Sequence, residues 1–336
     1  MRVEEHYSLK NHNTFGIDIK CDRFIAVEHP DEVAELIGEG VFLNPFFILG
    51  GGSNVLFTKD YHGTVIHPVF KGIETLEESE KAVLLRVAAG EEWDALQQFC
   101  LQHLLYGLEN LTGIPGNVGS APVQNIGAYG TEVKDCIDHV EGWRVDTGEV
   151  FRFSNEQCRF GYRDSIFKNE MKGKCLITHV TLKLSRIEHY NLKYKALSDA
   201  LENAQLQPSL KNVTDCILMV RNSKLPDITK IGCAGSFFKN PVIPFSDFEI
   251  LRRNIPDLVS YPAPNGQVKL AAGQLIEKAG WKGRRLGNAG VYDKQALVIV
   301  NYGDASPQEV IAVCEAVIRD VHEKFHVTLC PEVNIL

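Results

Sequence analysis

The sequence lacks an excess of basic residues, which limits the partners it is expected to bind. Its 35 lysines and arginines are outnumbered by 43 aspartates and glutamates, for a formal net charge of −8. Proteins that bind nucleic acid through its phosphates need a basic surface. The composition therefore predicts no nucleic-acid partner.

Long apolar runs and paired cysteines are also lacking. No stretch approaches the ~18 apolar residues that indicate a membrane span, and the polar start, MRVEEHYSLKNHNTF, has no apolar signal-peptide core. The nine cysteines are odd in number and include no C-x-x-C pair. We interpret them as reduced, with neither disulfides nor zinc. These features predict a cytoplasmic protein without membrane insertion.

The length of 336 residues predicts two or three domains. Periodic patterns in the sequence predict mixed α+β or α/β structure. Residues 31–38 are predicted to form a short helix capped by Asp31, and the last helix is predicted to have a capping box of Ser306 and Glu309. A further predicted helix carries its apolar stripe on Trp93, Leu96, Cys100 and Leu104.

One literal motif match is not interpreted as a metal site. HEKFH, from His322 to His326, fits the H-E-x-x-H zinc pattern. It falls at the end of the last predicted helix, where no third ligand follows comfortably. Positive charge near a helix C-terminus is favourable. We expect surface histidines here and predict no metal.

Two glycine-rich stretches point to ligand binding. GGGSN, residues 50–54, follows an apolar strand, and its glycines allow backbone N–H groups to converge on an anion. It fits neither a Walker A loop nor a Rossmann fingerprint, and a tight turn is the alternative. LTGIPGNVGSAPVQNIGAYG, residues 111–130, is predicted to be a long loop that lies against a ligand.

Three polar residues stand in unusual surroundings. Ser236 follows Gly235 with no histidine nearby, so it lacks the base that would make it a nucleophile. Arg163, flanked by aromatic residues, forms either an ion pair at the surface or a bidentate grip on a carboxylate. Glu332 lies in a predicted terminal strand, VTLCPEVNIL, and either faces water at its edge or is buried.

Seven motifs, taken in order, resemble one enzyme family. They are NTFGI, ILGGGSNVLF, GIPGNVGSAPVQNIGAYG, GYRDSIFK, CAGSFFKNP, KLAAGQLIEKAGWKG and PEVNIL. Together they resemble the UDP-N-acetylenolpyruvoylglucosamine reductases, also called UDP-N-acetylmuramate dehydrogenases, of the longer type with a tyrosine loop. The resemblance extends from about Asn13 to the C-terminus.

The resemblance implies an α+β fold with an FAD-binding domain of the vanillyl-alcohol-oxidase (PCMH) type. Its first subdomain would comprise residues 1–70, joined by a C-terminal strand at about 325–336, and its second residues 71–205. An α+β substrate-binding domain would comprise residues 212–324.

The implied reaction belongs to peptidoglycan precursor synthesis. NADPH reduces FAD, and the flavin passes a hydride to the terminal carbon of the enolpyruvyl group of UDP-N-acetylglucosamine enolpyruvate. In this resemblance Ser236 gives a proton to the α-carbon, Arg163 grips the substrate carboxylate, and Glu332 lies on its other side with its protonation state open. The product is UDP-N-acetylmuramate.

The resemblance also implies two sets of binding residues. Those for FAD are Gly50, Gly51, Gly52, Ser53, Asn54, Gly113, Ile114, Pro115, Gly116, Gly119, Ser120, Gln124, Asn125, Gly127, Tyr129 and Gly130. Those for the nucleotide sugar are Tyr194, Lys224, Asn240 and Gln295. Lys195 and Tyr292 depart from the family's usual glycine and histidine. Two alternatives are another flavin oxidoreductase of the same fold and a flavin- or nucleotide-binding regulatory protein without this activity.

Overall fold

The computed structural model describes residues 1–336 in full. The chain divides into two compact units, each assembled from separate stretches of sequence. The first unit comprises residues 1–8, 20–51 and 61–222, and the second comprises residues 9–19, 52–60 and 223–336. The three-part division implied by the resemblance stays a prediction.

The strands are β1 (Arg2–Ser8), β2 (Lys20–Val27), β3 (Phe46–Ile48), β4 (Val55–Leu56), β5 (Tyr61–Pro68), β6 (Ile73–Glu78), β7 (Ala82–Ala88), β8 (Gly127–Ala128), β9 (Thr131–Glu132), β10 (Ile137–Arg144), β11 (Glu149–Ser154), β12 (Cys175–Ser185), β13 (Gly232–Cys233), β14 (Val242–Pro244), β15 (Ser260–Pro262), β16 (Gln267–Leu270), β17 (Arg285–Leu286), β18 (Ala289–Val291), β19 (Ile299–Asn301) and β20 (Asn334–Ile335). The α-helices are α1 (Glu32–Gly38), α2 (Trp93–Gln102), α3 (Lys195–Asn203), α4 (Leu210–Lys224), α5 (Phe245–Asn254), α6 (Ala272–Lys278) and α7 (Pro307–Phe325).

Two sheets share the main core of the first unit. One has the strand order β1-β2-β5-β3, with β5 parallel to both of its neighbours. The other is antiparallel, in the order β11-β10-β12-β7-β6. Buried side chains from both sheets and from α2 form one apolar cluster, which includes Trp93 and Leu96. This mixed architecture agrees with the α+β prediction.

The predicted stripe of α2 is correct up to Cys100 and wrong at Leu104. Trp93, Leu96 and Cys100 are buried, whereas Leu104 is 60% exposed. The helix ends at Gln102, and Leu104 has φ 52°, in the left-handed region. The N–H of Leu105 then bonds the carbonyl of Cys100 at 2.9 Å, as at helix ends closed by a left-handed residue. Leu105 takes the buried position instead.

The cap predicted for α1 is also wrong. The side chain of Asp31 makes no capping hydrogen bond, and its own φ and ψ are helical. An N-cap residue needs an extended conformation to turn its side chain back onto the helix. Asp31 therefore belongs to the first turn.

Small sheets and the longest helix form the second unit. Strands β13, β19, β18 and β17 form an antiparallel sheet, β14, β16 and β15 form another, and β20 pairs with β4 in parallel. Helix α7 packs on the first of these sheets. No helix in the chain is both long and apolar enough to span a bilayer.

The predicted features of α7 are confirmed. Ser306 and Glu309 form the capping box through side-chain bonds to each other's backbone N–H groups. His322 lies in the last turn and His326 ends the helix in a left-handed conformation, both exposed as expected.

Candidate active site

The two units divide the predicted site residues between them. Arg163, Tyr194, Gly50, Gly51 and every predicted residue between 113 and 130 belong to the first unit. The second unit contains residues 52–54 and the other predicted site residues, which are Ser236, Glu332, Lys224, Asn240 and Gln295.

Helix α2 holds the segment 113–130 in the first unit. The indole Nε1–H of Trp93 donates to the carbonyl of Leu111 at 3.0 Å, and the backbone N–H of Trp93 donates to the carbonyl of Gly116 at 2.9 Å. Gln97 Nε2 donates to the carbonyl of Leu108 at 3.0 Å. Trp93 is 1% exposed, so the segment is fixed to the buried core at its start.

Close packing explains several of the predicted glycines. A Cβ atom on Gly51 would lie 2.8 Å from Gly116 Cα, and one on Gly50 would lie 2.1 Å from Ser120 Oγ. A Cβ atom on Gly119 would lie 2.5 Å from Ala89 Cβ. The glycine turn and the segment therefore approach each other more closely than side chains would allow.

Several backbone N–H groups in these stretches have no protein acceptor. Those of Gly50 and Gly51 donate no hydrogen bond within the protein, and the same holds for Gly113, Ile114 and Gly116. In the second unit, the N–H of Gly52 also lacks an acceptor, although Gly52 is buried. A buried backbone donor such as that of Gly52 seldom stays unpaired in a folded protein. These groups are the donors that an anionic ligand would require.

Asn125 has a structural role inside the segment. It is fully buried, and its φ of 50° is left-handed. Its Nδ2 donates to Glu132 Oε2 at 3.0 Å and to the carbonyl of Gly161 at 2.9 Å, while its Oδ1 accepts from the N–H of Lys134 at 3.1 Å. Its amide thereby joins the segment to the turn that carries Arg163.

Arg163 lies against the same segment. Its Nη2 donates to the carbonyl of Gly127 at 2.6 Å, and a Cβ atom on Gly127 would lie 2.9 Å from Arg163 Nη1. The residue has φ 52° and lies within the tight turn that the bridge between Gly161 and Asp164 closes. Its guanidinium also lies 5.4 Å from the centre of the Tyr162 ring. This fixed orientation suits bidentate recognition of a carboxylate.

Two tyrosines and an arginine meet near the end of the segment. The ring of Tyr129 lies 5.2 Å from that of Tyr194, edge to face. Burial raises the pKa of Tyr129, and the positive charge of the nearby Arg221 guanidinium opposes this. Burial in turn lowers the pKa of Arg221, opposed by Tyr129. The remaining residues of this unit that are predicted to bind the cofactor, Pro115, Gln124 and Gly130, lie partly or fully exposed along the segment.

No motif in the sequence singles out Arg221, and sequence reasoning missed this contact. Helix α4 brings it to the segment, where a Cβ atom on Gly113 would lie 2.9 Å from Leu218 Cδ2 and 3.1 Å from Arg221 Nε. No local signal in the sequence connects Arg221 with Tyr129, because the two residues are 92 positions apart.

Ser236 is held by the backbone on both sides. Strand β13 precedes it, and the N–H of Phe237 donates to the carbonyl of Leu297 at 2.7 Å. Gly235 has φ 69°, which favours glycine, although a Cβ atom there would meet nothing within 4 Å. The hydroxyl of Ser236 is half-buried and makes no hydrogen bond within the protein.

Glu332 lies beside this stretch. Its N–H donates to the carbonyl of Phe237 at 2.8 Å, and Phe238 and Pro331 form an antiparallel bridge. The predicted strand over residues 327–336 is too long, because β20 begins only at Asn334. Pro331 has no N–H for a continuous ladder. Glu332 is half-buried, and its carbonyl accepts from Asn54 Nδ2 at 3.5 Å.

Two of the predicted substrate residues have one amide oxygen engaged by the protein. Asn240 Oδ1 accepts from the N–H of Ala272 at 3.0 Å, and Gln295 Oε1 accepts from the N–H of Leu297 at 3.3 Å. Since the same Leu297 bonds Phe237 through its carbonyl, the structure brings Ser236, Glu332 and Gln295 into one neighbourhood. Lys224 is exposed at the end of α4.

The two residues that depart from the family pattern, Lys195 and Tyr292, differ in their surroundings. Lys195 begins α3 directly after Tyr194, and its Nζ lies 2.7 Å from Asp199 Oδ1. Tyr292 is 8% exposed and belongs to an apolar cluster with Val298 and Val300.

Comparisons with known proteins agree across the chain. Residues 21–154 match a family model described as an FAD binding domain, and residues 227–336 match the C-terminal domain of UDP-N-acetylenolpyruvoylglucosamine reductase. UDP-N-acetylenolpyruvoylglucosamine reductase of Flavobacterium johnsoniae is 44% identical over 100% of both chains. That of Shewanella sediminis is 46% identical over 100% of this chain and 97% of its own.

A solved structure is also similar. UDP-N-acetylenolpyruvylglucosamine reductase from Thermus caldophilus has a TM-score of 0.69 and 26% identity, covering 100% of this chain and 99% of its own. Together with the two domain matches, this confirms the predicted combination of an FAD-binding domain and a C-terminal domain of mixed helix and strand content. The assignment of the first domain to the vanillyl-alcohol-oxidase type stays a prediction.

Proposed function

The chain belongs to the UDP-N-acetylenolpyruvoylglucosamine reductase family and is an FAD-dependent oxidoreductase, and from this premise we propose its reaction. It reduces UDP-N-acetylglucosamine enolpyruvate to UDP-N-acetylmuramate, with NADPH as the electron donor. The product is a peptidoglycan precursor, and the enzyme works in the cytoplasm.

The residues of the first unit fit FAD. The segment 113–130 contains no charged residue, and its unpaired N–H groups and those of Gly50 and Gly51 are suited to a diphosphate and to flavin oxygens. Bound FAD would accept a hydride from NADPH and transfer it to the substrate. Gly50–Asn54 would hold the pyrophosphate, and the segment 113–130 would line the flavin and its ribityl chain.

Ser236 donates the proton that completes the reduction. The observation that carries this role is a half-buried hydroxyl without a protein partner, held by the backbone on both sides and beside Glu332. No base bonds it, so it is a poor nucleophile. An alcohol held in contact with a more basic carbon anion can still give up its proton, and placed proton donors contribute about 10²–10⁴-fold.

Arg163 and Glu332 handle the substrate carboxylate. Arg163 is oriented by its bond to the carbonyl of Gly127, and its guanidinium binds the substrate carboxylate where negative charge develops. Glu332 lies next to the backbone of Phe237 and approaches the carboxylate from its other side.

The nucleotide part of the substrate meets amide and ammonium donors. Because a backbone N–H occupies the oxygen of Asn240, its Nδ2 donors are directed to the ligand. Gln295 is oriented in the same way. Lys224 contributes an exposed positive charge for the diphosphate, and Tyr194 covers the bound substrate.

NADPH consumption tests the proposal. The purified protein should oxidise NADPH when the enolpyruvyl sugar is added and form UDP-N-acetylmuramate in equal amount. If the protein oxidises NADPH with another acceptor but not with this sugar, it is a different flavin oxidoreductase. If it binds the ligand but oxidises no NADPH, it is a binding protein.

A further inference from the structure

The segment 113–130, which we propose lines the flavin, has no positive charge of its own. Residues 113–130 contain no lysine, arginine, histidine, aspartate or glutamate. A hydride carries two electrons and one proton, so its transfer from NADPH leaves NADP⁺ and adds one negative charge to the flavin. In a site of low polarity that charge is costly unless a cation faces it. The cation must therefore come from elsewhere in the fold.

Arg221 of α4 lies against both ends of this segment. Its Nε would be 3.1 Å from a Cβ atom on Gly113, and its guanidinium is close enough to the Tyr129 hydroxyl for the two groups to interact electrostatically. Gly113 and Tyr129 both have positive φ, of 74° and 49°. The backbone is thus folded back at both places where it contacts the arginine.

No acidic residue compensates Arg221. The only titratable group that acts on Arg221 is Tyr129, a neutral hydroxyl at ordinary pH. Burial lowers the pKa of Arg221. Arg86, a partly buried arginine of the same unit, has a carboxylate partner in Glu141 at 2.9 Å. Buried charges are normally paired, so a counter-charge from a bound ligand is expected.

We propose that Arg221, oriented by Tyr129, is the cation that compensates the negative charge of the reduced flavin and thereby raises the reduction potential of FAD. This inference rests on the proposed function, since it takes the segment as the flavin site. Arg163, which bonds the carbonyl of Gly127 in the same segment, then stabilises the negative charge that develops on the substrate carboxylate. A charge near the flavin is a recognised way for a protein to tune its electronics.

The reduction potential of the bound FAD tests this directly. It is measured anaerobically by spectroscopic equilibration with a reference dye, in the holoenzyme and in Arg221→Gln, Arg221→Lys and Tyr129→Phe. Arg221→Gln removes the charge, so the ratio of reduced to oxidised flavin at a given dye potential should fall at least tenfold. For a two-electron couple this is a decrease of about 30 mV.

The other variants separate charge from structure. Arg221→Lys keeps the charge and should lie within about threefold of the wild type. Tyr129→Phe leaves the arginine without its anchor and should shift the ratio in the same direction as Arg221→Gln, but less. Arg252→Gln is the matched control, because Arg252 is an exposed arginine of the second unit, over Phe248, and should leave the potential unchanged. If Arg221→Gln does not fold, the other two variants carry the test.

Two outcomes would overturn the inference. One is an unchanged potential in Arg221→Gln and Tyr129→Phe. The other is an unchanged potential with a higher KM for NADPH alone, which would show that Arg221 binds a phosphate of NADPH. Failure of the proposed function is distinguishable, because the wild-type protein would then fail to bind FAD or to reduce the enolpyruvyl sugar.

Discussion

Replacing Ser236 with alanine should separate catalysis from stability. The hydroxyl makes no hydrogen bond within the protein, so its removal leaves no donor or acceptor unsatisfied. Large losses of stability arise when a substitution leaves a buried hydrogen-bonding group without a partner, creates a cavity or introduces strain. We therefore expect the free energy of unfolding of Ser236→Ala to lie within about 0.5 kcal/mol of the wild type.

The effect on the reaction should be large and confined to one half. Reduction of FAD by NADPH requires no proton from Ser236 and should stay near the wild-type rate. Reoxidation of the flavin by the enolpyruvyl sugar should slow by about 10²–10⁴-fold, equivalent to about 2.7–5.4 kcal/mol in activation free energy. Stopped-flow absorbance of the flavin measures the two halves separately, and urea unfolding measures stability.

Two further variants sharpen this experiment. Ser260→Ala is the control, because Ser260 is another half-buried serine of the second unit and should change neither half. Ser236→Cys keeps an acidic proton at the same position and should retain more of the second half than Ser236→Ala. Equal slowing of both halves in Ser236→Ala would refute proton donation and indicate a role in positioning the flavin or the ligand.

Three other predictions follow from the site and the core. Lys224→Ala should raise KM for the nucleotide sugar with kcat nearly unchanged, and an unaltered KM in steady-state assays would remove Lys224 from the diphosphate site. Trp93→Phe leaves the buried carbonyl of Leu111 without its donor and should lower the free energy of unfolding by about 1–3 kcal/mol, with weaker FAD retention; urea unfolding at wild-type stability would contradict this. Burial lowers the pKa of His67, so the unfolded state binds protons more readily and stability should fall as pH drops below about 6.5. His67→Gln should flatten that pH dependence in thermal melts, and an unchanged slope would show that His67 is not its source.

Local patterns in the sequence predicted the elements that local physics decides. The capping box of Ser306 and Glu309 and the glycine turn after β3 depend on residues a few positions apart, and both are present. The ends of elements were less predictable. Leu104 continues the apolar spacing of α2, but the chain turns there into a left-handed conformation, and the sequence carries no glycine to mark it.

Long-range contacts in the site were beyond the sequence patterns. Motifs placed Ser236 and Glu332 in one reaction only through resemblance to a family, whereas the structure connects them through the carbonyl of Phe237. Arg221 carries no motif, because its significance depends on Tyr129 and Gly113 and on the missing acidic partner. Likewise, unpaired backbone N–H groups cannot be identified until the fold shows which acceptors they lack.

The central claim is that this protein passes electrons from bound FAD to the enolpyruvyl group. Its most direct test is an anaerobic titration of the NADPH-reduced protein with the enolpyruvyl sugar, followed by flavin absorbance and by the mass of the nucleotide sugar. The account predicts that the oxidised flavin spectrum returns with one equivalent of sugar, which gains the mass of two hydrogen atoms. A flavin that stays reduced while the sugar is recovered unchanged would contradict it.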